Sequence, residues 1–187
     1  MIPGNIKPAI GTLLVAEPFM QDGYFKRSVV LITSHNEEGT VGYILNHDLD
    51  VQIKDIIPQC PDSNLPVRLG GPVQRDNLFF IHSLGDTIAD SIEIIKGLYW
   101  GGDFDAIVDL IKRDEIKQEN IRFFAGYSGW SPGQLDKELE EKSWIVTKCK
   151  KDFILKTDSE KLWGNVLKNM GNEYAQIANY PEDPSLN

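Results

Sequence analysis

Residues 121–139, IRFFAGYSGWSPGQLDKEL, place an apolar strand pattern before a glycine-rich turn and the start of a helix. Residues 121–125 predict a strand that ends at this turn. Ser131 predicts the N-cap of the helix, and Gln134 stands three residues later, where its amide can complete a capping box. Residues 144–147 predict another strand, so this part of the chain is expected to form a strand, helix, strand unit.

Strand patterns dominate the first half of the chain. Residues 28–34 and 40–46 flank Gly39 and predict a hairpin. The run Val29-Val30-Leu31-Ile32 is apolar without alternation, which predicts a central strand covered on both faces. Further strand patterns occupy residues 13–16, 67–69, 77–82 and 91–96.

Two more helices are predicted in the second half. Asp103 predicts the N-cap of a helix whose apolar residues follow the i, i+3, i+4, i+7 pattern, namely Phe104, Ile107, Val108 and Ile111. Thr157 predicts the N-cap of the last helix, with Glu160 at the capping-box position and Gly171 at its end.

These elements predict an α+β fold in one domain that spans residues 1–187, with a frayed tail at 181–187. A chain of 187 residues with 41% hydrophobic content is large enough to bury a core without disulfides. Strands come early and helices late, with no repeat and no linker. We therefore expect a strongly bent mixed sheet or flattened β-barrel with helices packed outside.

The composition excludes several classes of protein. No basic leader or long apolar run is present, so a cytoplasmic protein without membrane association is expected. Cys60 and Cys149 lack metal-ligand spacing and are expected to be reduced thiols. The net charge of −9 opposes general attraction to phosphate backbones, so direct DNA binding is not expected.

The motifs predict no catalytic set. The segment Gly126-Tyr127-Ser128-Gly129-Trp130 resembles a nucleophile elbow, but Trp130 stands where that turn needs a small residue, so Ser128 is interpreted as a turn residue. His35, His47 and His82 lie at turns and strand ends, and none has the spacing of a metal site. We therefore predict no metal and no cofactor.

Two further features have both a structural and a binding interpretation. Gly70-Gly71-Pro72, between Arg68 and Arg75, forms either a tight turn or a cradle for a phosphate or carboxylate. Trp130 is expected in the core, but if its ring is exposed beside Tyr127, the pair is expected to anchor a partner.

Several ordered stretches cover most of the chain: residues 11–46 (GTLLVAEPFMQDGYFKRSVVLITSHNEEGTVGYILN), 69–84 (LGGPVQRDNLFFIHSL), 97–107 (GLYWGGDFDAI) and 123–144 (FFAGYSGWSPGQLDKELEEKSW). Together they resemble the YqgE/AlgH family of bacterial proteins, which is biochemically uncharacterised. The resemblance implies a compact α+β fold around a strongly bent sheet or barrel. One family member is named as a transcriptional regulator of alginate production. Residues of these stretches that are candidates for a common binding surface are Asp22, Arg27, His35, Asn46, Arg75, His82 and Gln134.

The resemblance and the missing catalytic set favour a non-enzymatic regulatory or binding protein that acts through a protein partner or a small-molecule effector. The alternative is a hydrolase-like enzyme acting on a phosphorylated or acylated metabolite. In that hypothesis His35 or His82 is the base, and Arg27 or Arg75 holds the anion.

Overall fold

The computed structural model describes residues 6–181, which form a single α+β domain. The strands are β1 (Thr12–Ala16), β2 (Val29–Asn36), β3 (Gly39–Ile44), β4 (Asp48–Gln52), β5 (Pro66–Leu69), β6 (Val73–His82), β7 (Ile92–Ile95), β8 (Leu98–Trp100), β9 (Ile121–Trp130) and β10 (Trp144–Lys148). The helices are α1 (Ile53–Ile56), α2 (Phe104–Lys112), α3 (Gln134–Glu140), α4 (Lys151–Lys156), α5 (Ser159–Met170) and α6 (Asn172–Ile177). Within residues 6–181, no helix has the length and apolar character needed to cross a bilayer.

The strands form one strongly curled sheet, as the sequence predicts. Its main path is β10-β1-β2-β3-β9-β6-β8-β7, and each neighbouring pair on this path is antiparallel. Strand β4 pairs with β5, and β5 lies parallel to β9. The sheet is therefore mixed, and β9 is its centre because it contacts β3, β5 and β6.

Alternating side chains of the central strands enter different cores. Leu31 of β2 packs in one buried cluster with residues of α4 and α5, whereas Val30 packs in another with Leu135 of α3. All four residues of the apolar run in β2 are fully buried, which confirms the prediction of a strand covered on both faces. A third cluster joins α1 and α2 to β5, β6 and β9.

The turn predicted after residue 125 is wrong, because β9 continues through the glycines to Trp130. Gly126 has a φ of +70°, and a Cβ added there would lie 2.6 Å from the carbonyl oxygen of Val73, so this position requires glycine. Helix α3 begins after Gly133 rather than Ser131. Part of the expected cap still forms, since the Gln134 side chain accepts the Ser131 N–H at 3.0 Å.

The helix boundaries follow the sequence in part. Asp103 caps α2, because its Oδ1 accepts the N–H groups of Asp105 and Ala106 at 3.0 and 3.3 Å. The predicted cap at Thr157 is wrong, since α5 starts at Ser159 with Asp158 before it, although α5 ends before Gly171 as expected. Elements α4, α6, β4 and β8 were not predicted. Residues 182–187 of the predicted tail lie outside the described residues.

Candidate functional site

The predicted common surface does not form, because its two histidines lie at opposite ends of β9. His35 pairs with Thr40 in the β2–β3 hairpin, and Thr40 pairs with Trp130 at the end of β9. His82 pairs with Ile121 at the other end of the same strand. At about 3.3 Å per residue, the nine steps from Ile121 to Trp130 place the two ends of β9, and the histidines beside them, roughly 30 Å apart.

His82 is a core residue and does not line a surface, which corrects its place in the predicted set. The side chain is fully buried. The Leu84 N–H donates to Nδ1 at 3.2 Å, so Nε2 carries the proton and donates to the Gly101 carbonyl at 3.0 Å. With both nitrogens bonded, the ring has no free position from which to act as a general base.

Burial of His82 predicts an acid-sensitive fold. Burial lowers the pKa of His82, and the hydrogen bond to Gly101 opposes this only in part. The unfolded chain therefore takes up a proton near pH 6.5 while the folded one does not, so stability is complete above that pH and is lost as the pH falls below it. His47 acts in the same direction, because burial lowers its pKa too.

We expect the free energy of unfolding in urea to fall by up to about 1.4 kcal/mol per pH unit for each such histidine between its two pKa values. His82→Gln should be less stable at pH 8 but should show a shallower fall between pH 7.5 and pH 5. Equal slopes in the wild type and the variant would contradict this account.

Asp22, Arg27 and Asn46 hold backbone in place. Asp22 Oδ1 accepts the N–H groups of Tyr24 and Phe25 at 2.8 and 3.1 Å. Asn46 accepts the Val29 N–H at 2.8 Å and donates to the Arg27 carbonyl at 2.9 Å. Asn46 thus ties the loop before β2 to the end of β3.

The Arg27 side chain holds the C-terminal segment. Its guanidinium lies 4.6 Å from the centre of the Trp163 ring and donates a hydrogen bond to the Tyr180 carbonyl. The Tyr180 ring in turn stacks on Phe19 at 5.8 Å. Arg27 is therefore engaged within the protein and does not extend into an open cleft.

The glycine pair before β6 is a packing feature rather than a phosphate cradle. A Cβ at Gly70 would lie 2.2 Å from the carbonyl oxygen of Gly126, so two backbones fill the space. The Ser128 hydroxyl donates to the Gly70 carbonyl at 3.0 Å, so it bonds backbone, but Ser128 lies within β9 and is not the turn residue that the sequence predicts. Arg75 and Gln134 are exposed.

Trp130 is unavailable as a partner anchor because its side chain is only 4% exposed. Its Nε1–H donates to Glu138 Oε2 at 2.8 Å, and the Nε1–H of Trp144 donates to the same oxygen at 2.7 Å. Tyr127 is half-buried, and its ring meets Phe79 edge to face. These contacts correct the anchor hypothesis and place Trp130 in the core.

The cysteines do not form a reactive or metal site. Cys60 and Cys149 are both free thiols, as expected. Burial raises the pKa of Cys149 to about 12 and also raises that of Cys60, so neither forms a thiolate near neutral pH. In residues 6–181, no group of three or more His, Cys, Asp or Glu side chains is arranged to hold a metal ion.

The structure brings together two arginines that the sequence places far apart. Arg68 lies on β5 and Arg122 on β9, and the parallel register pairs Arg68 with Phe124. Because residues 122 and 124 share one face of β9, both guanidinium groups lie on the side of the sheet that α4 and α5 cover. Arg68 and Arg122 are each only 3% exposed.

The hydrogen bonds of the two arginines are incomplete. Arg68 Nε–H donates to Ser159 Oγ at 3.2 Å, and the same nitrogen forms an ion pair with Asp48 Oδ1 at 3.0 Å. Arg122 Nη2–H donates to the Thr157 carbonyl at 2.9 Å. Arg68 Nη1 and Arg122 Nε are buried and have no hydrogen-bond partner among the described residues. Each of these unpaired cationic donors costs folding free energy, so the pair needs an explanation.

The electrostatics confirm that the arginines are poorly neutralised. Burial and, to a smaller extent, the neighbouring charge of Arg68 lower the pKa of Arg122 to about 10, whereas Asp48 and Asp158 oppose the shift. Burial also lowers the pKa of Arg68, against the attraction of Asp48. An additional anion beside the two guanidinium groups would favour their charged forms and so raise both pKa values.

These groups line the two-arginine cleft, a cavity of about 650 Å³ bounded by β4, β5, β9 and the start of α5. The N-terminus of the 12-residue helix α5 adds a partial positive charge. Other basic side chains in the lining are Lys156 and Lys161, and the acidic ones are Asp48, Glu119, Asp158 and Glu160. The cleft therefore combines buried cationic donors with a rim of mixed charge, an arrangement that can bind one small anion.

The sequence carries a signal for this site that the glycine turn between Arg68 and Arg75 does not reveal. Arg122 lies in the predicted strand at residues 121–125 and in none of the predicted binding motifs. Each arginine interrupts a short strand of otherwise apolar residues, Val67-Arg68-Leu69 and Ile121-Arg122-Phe123. An arginine inside a buried strand must find a partner, so this pattern identifies a candidate site.

Comparison with known proteins identifies relatives and folds. The profile of a family described as AlgH-like matches residues 13–175. A UPF0301 protein of Parabacteroides distasonis is 42% identical over 185 residues, covering 98% of this chain and 93% of that protein. A UPF0301 protein of Chlorobium limicola is 42% identical over 177 residues, covering 95% of each chain.

Two solved structures share the fold. The crystal structure of a Corynebacterium diphtheriae protein superposes with a TM-score of 0.77 at 26% identity and covers 94% of each chain. The solution structure of the AlgH protein from Pseudomonas aeruginosa gives a TM-score of 0.73 at 23% identity and covers 94% of this chain and 98% of that one.

Proposed function

Because the chain belongs to the AlgH-like family, and the relatives compared above carry names that state no activity, we propose a function from the site itself. The protein is a non-enzymatic regulatory or binding protein, and it acts through a small effector that carries one oxyanion group. The effector binds in the two-arginine cleft. The observation that carries this proposal is the pair of buried guanidinium groups, each with an unpaired nitrogen.

The charge of the lining favours a small ligand over a polyanion. Around the rim, the basic side chains Lys156 and Lys161 are outnumbered by the acidic Glu119, Asp158 and Glu160, so the rim does not attract a long phosphate backbone. The excess of positive charge is confined to the interior, where Arg68 forms an ion pair with Asp48 and the hydrogen bond of Arg122 goes to a neutral carbonyl, that of Thr157. A single phosphate or carboxylate matches that excess.

The same geometry argues against catalysis in the cleft. Among the described residues, neither histidine nor cysteine lines it. The Ser159 hydroxyl donates to Asp48 at 2.8 Å and accepts a hydrogen bond from the Arg68 guanidinium, so its proton and a lone pair are both engaged within the protein. A cleft that lacks histidine and cysteine, and whose one lining serine is already bonded on both sides, fits an effector site better than a catalytic one.

The test is thermal unfolding against a panel of phosphate monoesters, carboxylates and inorganic phosphate at constant ionic strength. A ligand at a hundredfold over its dissociation constant stabilises the protein by about 2.7 kcal/mol, a rise of roughly 5 to 10 °C for a chain of this size. Arg122→Met should abolish the rise. Because it replaces an incompletely paired buried charge by an apolar side chain, its own unfolding temperature should not be much below that of the wild type.

Arg75→Met is the matched control, since it removes an exposed arginine outside the cleft and should keep the full response. The proposal fails if no compound in the panel stabilises the wild type. It also fails if a stabilising compound acts equally on Arg122→Met.

A further inference from the structure

We infer that Asp48 is an internal substitute for the oxyanion of the effector, and that binding exchanges one for the other. The inference rests on the proposed function and adds how the site is regulated. Before the effector binds, the Asp48 carboxylate occupies the position beside Arg68 and Ser159 that the oxyanion would take. When the effector binds, Asp48 moves to solvent and the oxyanion takes its contacts with Arg68 and Ser159.

The contacts of Asp48 are those that an oxyanion would make. Its Oδ1 forms an ion pair with Arg68 Nε at 3.0 Å and accepts a hydrogen bond from the Ser159 hydroxyl at 2.8 Å. Ser159 is the first residue of α5, so the carboxylate lies beside the positive end of that helix. A cation, a hydroxyl and a helix N-terminus together form an oxyanion site.

Access to the unpaired nitrogens requires such a movement. Arg68 Nη1 and Arg122 Nε are both shielded from solvent, so an external anion reaches them only after a neighbouring group has moved. Asp48 is the suitable group, because its side chain is 52% exposed while that of Arg68 is 3% exposed. Its charged end can enter water without leaving the protein core open.

The backbone around Asp48 also permits a movement. Strand β4 pairs with β5 alone among the described strands, so it lies at an edge. The β4–β5 register is irregular between Asp48 and Gln52. A displacement of this strand therefore disturbs few ladder hydrogen bonds.

The test compares the binding of inorganic phosphate to the wild type and to Asp48→Asn by calorimetry. Asparagine keeps the size of the side chain but removes the competing charge. The wild type binds phosphate only in molecules whose Asp48 carboxylate has left the cleft. If that fraction is about one tenth or less, Asp48→Asn should bind phosphate at least about tenfold more tightly. The added substitution Arg122→Met should abolish this gain.

Glu119→Gln is the matched control, because it removes an acidic charge from the lining without a contact to either arginine. Its affinity should rise by less than about threefold, the general effect of one screened charge. Equal gains for Glu119→Gln and Asp48→Asn would overturn the exchange, as would unchanged affinity of Asp48→Asn beside a wild type that binds. If neither the wild type nor Asp48→Asn binds phosphate or any effector of the panel, the proposed function itself fails.

Discussion

Glu138→Leu is expected to lower the free energy of unfolding by about 3 kcal/mol, because it removes the acceptor of two buried indole groups. Trp130 and Trp144 are 4% and 5% exposed, and both donate to Glu138 Oε2. Each buried N–H left without a partner costs about 1 to 3 kcal/mol. The change should also loosen the contact of α3 with β9 and β10.

Urea denaturation of a graded series measures this effect. Glu138→Gln keeps one carbonyl acceptor and should lose less stability than Glu138→Leu. Glu140→Leu, at an exposed position of the same helix, is the control and should stay within about 0.5 kcal/mol of the wild type. If Glu138→Leu were as stable as Glu140→Leu, the two indoles would not depend on this carboxylate.

Gly70→Ala is expected to destabilise the fold by about 3 kcal/mol or more, because the new methyl group meets backbone. A Cβ at Gly70 would lie 2.2 Å from the Gly126 carbonyl oxygen and 3.0 Å from the Phe124 side chain. A carbonyl oxygen of the central strand cannot move aside as a flexible side chain does. The β5–β9 pairing that places Arg68 should be disturbed as well.

Gly164→Ala provides the opposite control. Gly164 lies inside α5, and no atom lies within 4 Å of a Cβ added there. Alanine should therefore raise the free energy of unfolding by about 0.5 to 1 kcal/mol through its helix propensity. Calorimetric unfolding measures the stability of both variants. A Gly70→Ala protein as stable as the wild type would contradict the claim that backbone fills the space beside Gly70.

Local patterns predicted the elements whose signals lie within a few neighbouring residues. The apolar run of β2, the hairpin to β3 and the Asp103 cap depend on short-range periodicity and hydrogen bonding, and the structure confirms them. Residues 126–129 look like a turn for the same local reason. They form a strand because backbone from Gly71 and Val73 lies close to Gly126, a contact that sequence spacing does not reveal.

The site could be predicted less well, because it depends on contacts between distant parts of the chain. Arg68 and Arg122 meet only through the parallel pairing of β5 with β9, and Ser159 joins them from a helix 37 residues beyond Arg122. Conversely, His82 seemed a surface candidate because it ends a strand, and only the fold places it in the core. Charged residues that interrupt apolar strands, such as Arg68 and Arg122, are the sequence signal that identifies this site.

The most direct test of the two-arginine cleft follows the Nε–H resonance of Arg122 in a ¹H–¹⁵N spectrum during titration with inorganic phosphate. The resonance is identified by its loss in Arg122→Met. Because Arg122 Nε has no hydrogen-bond partner among residues 6–181, its resonance should move downfield and saturate with the same dissociation constant that calorimetry gives. A resonance that stays in place at saturating phosphate would contradict the central claim that this cleft binds an oxyanion.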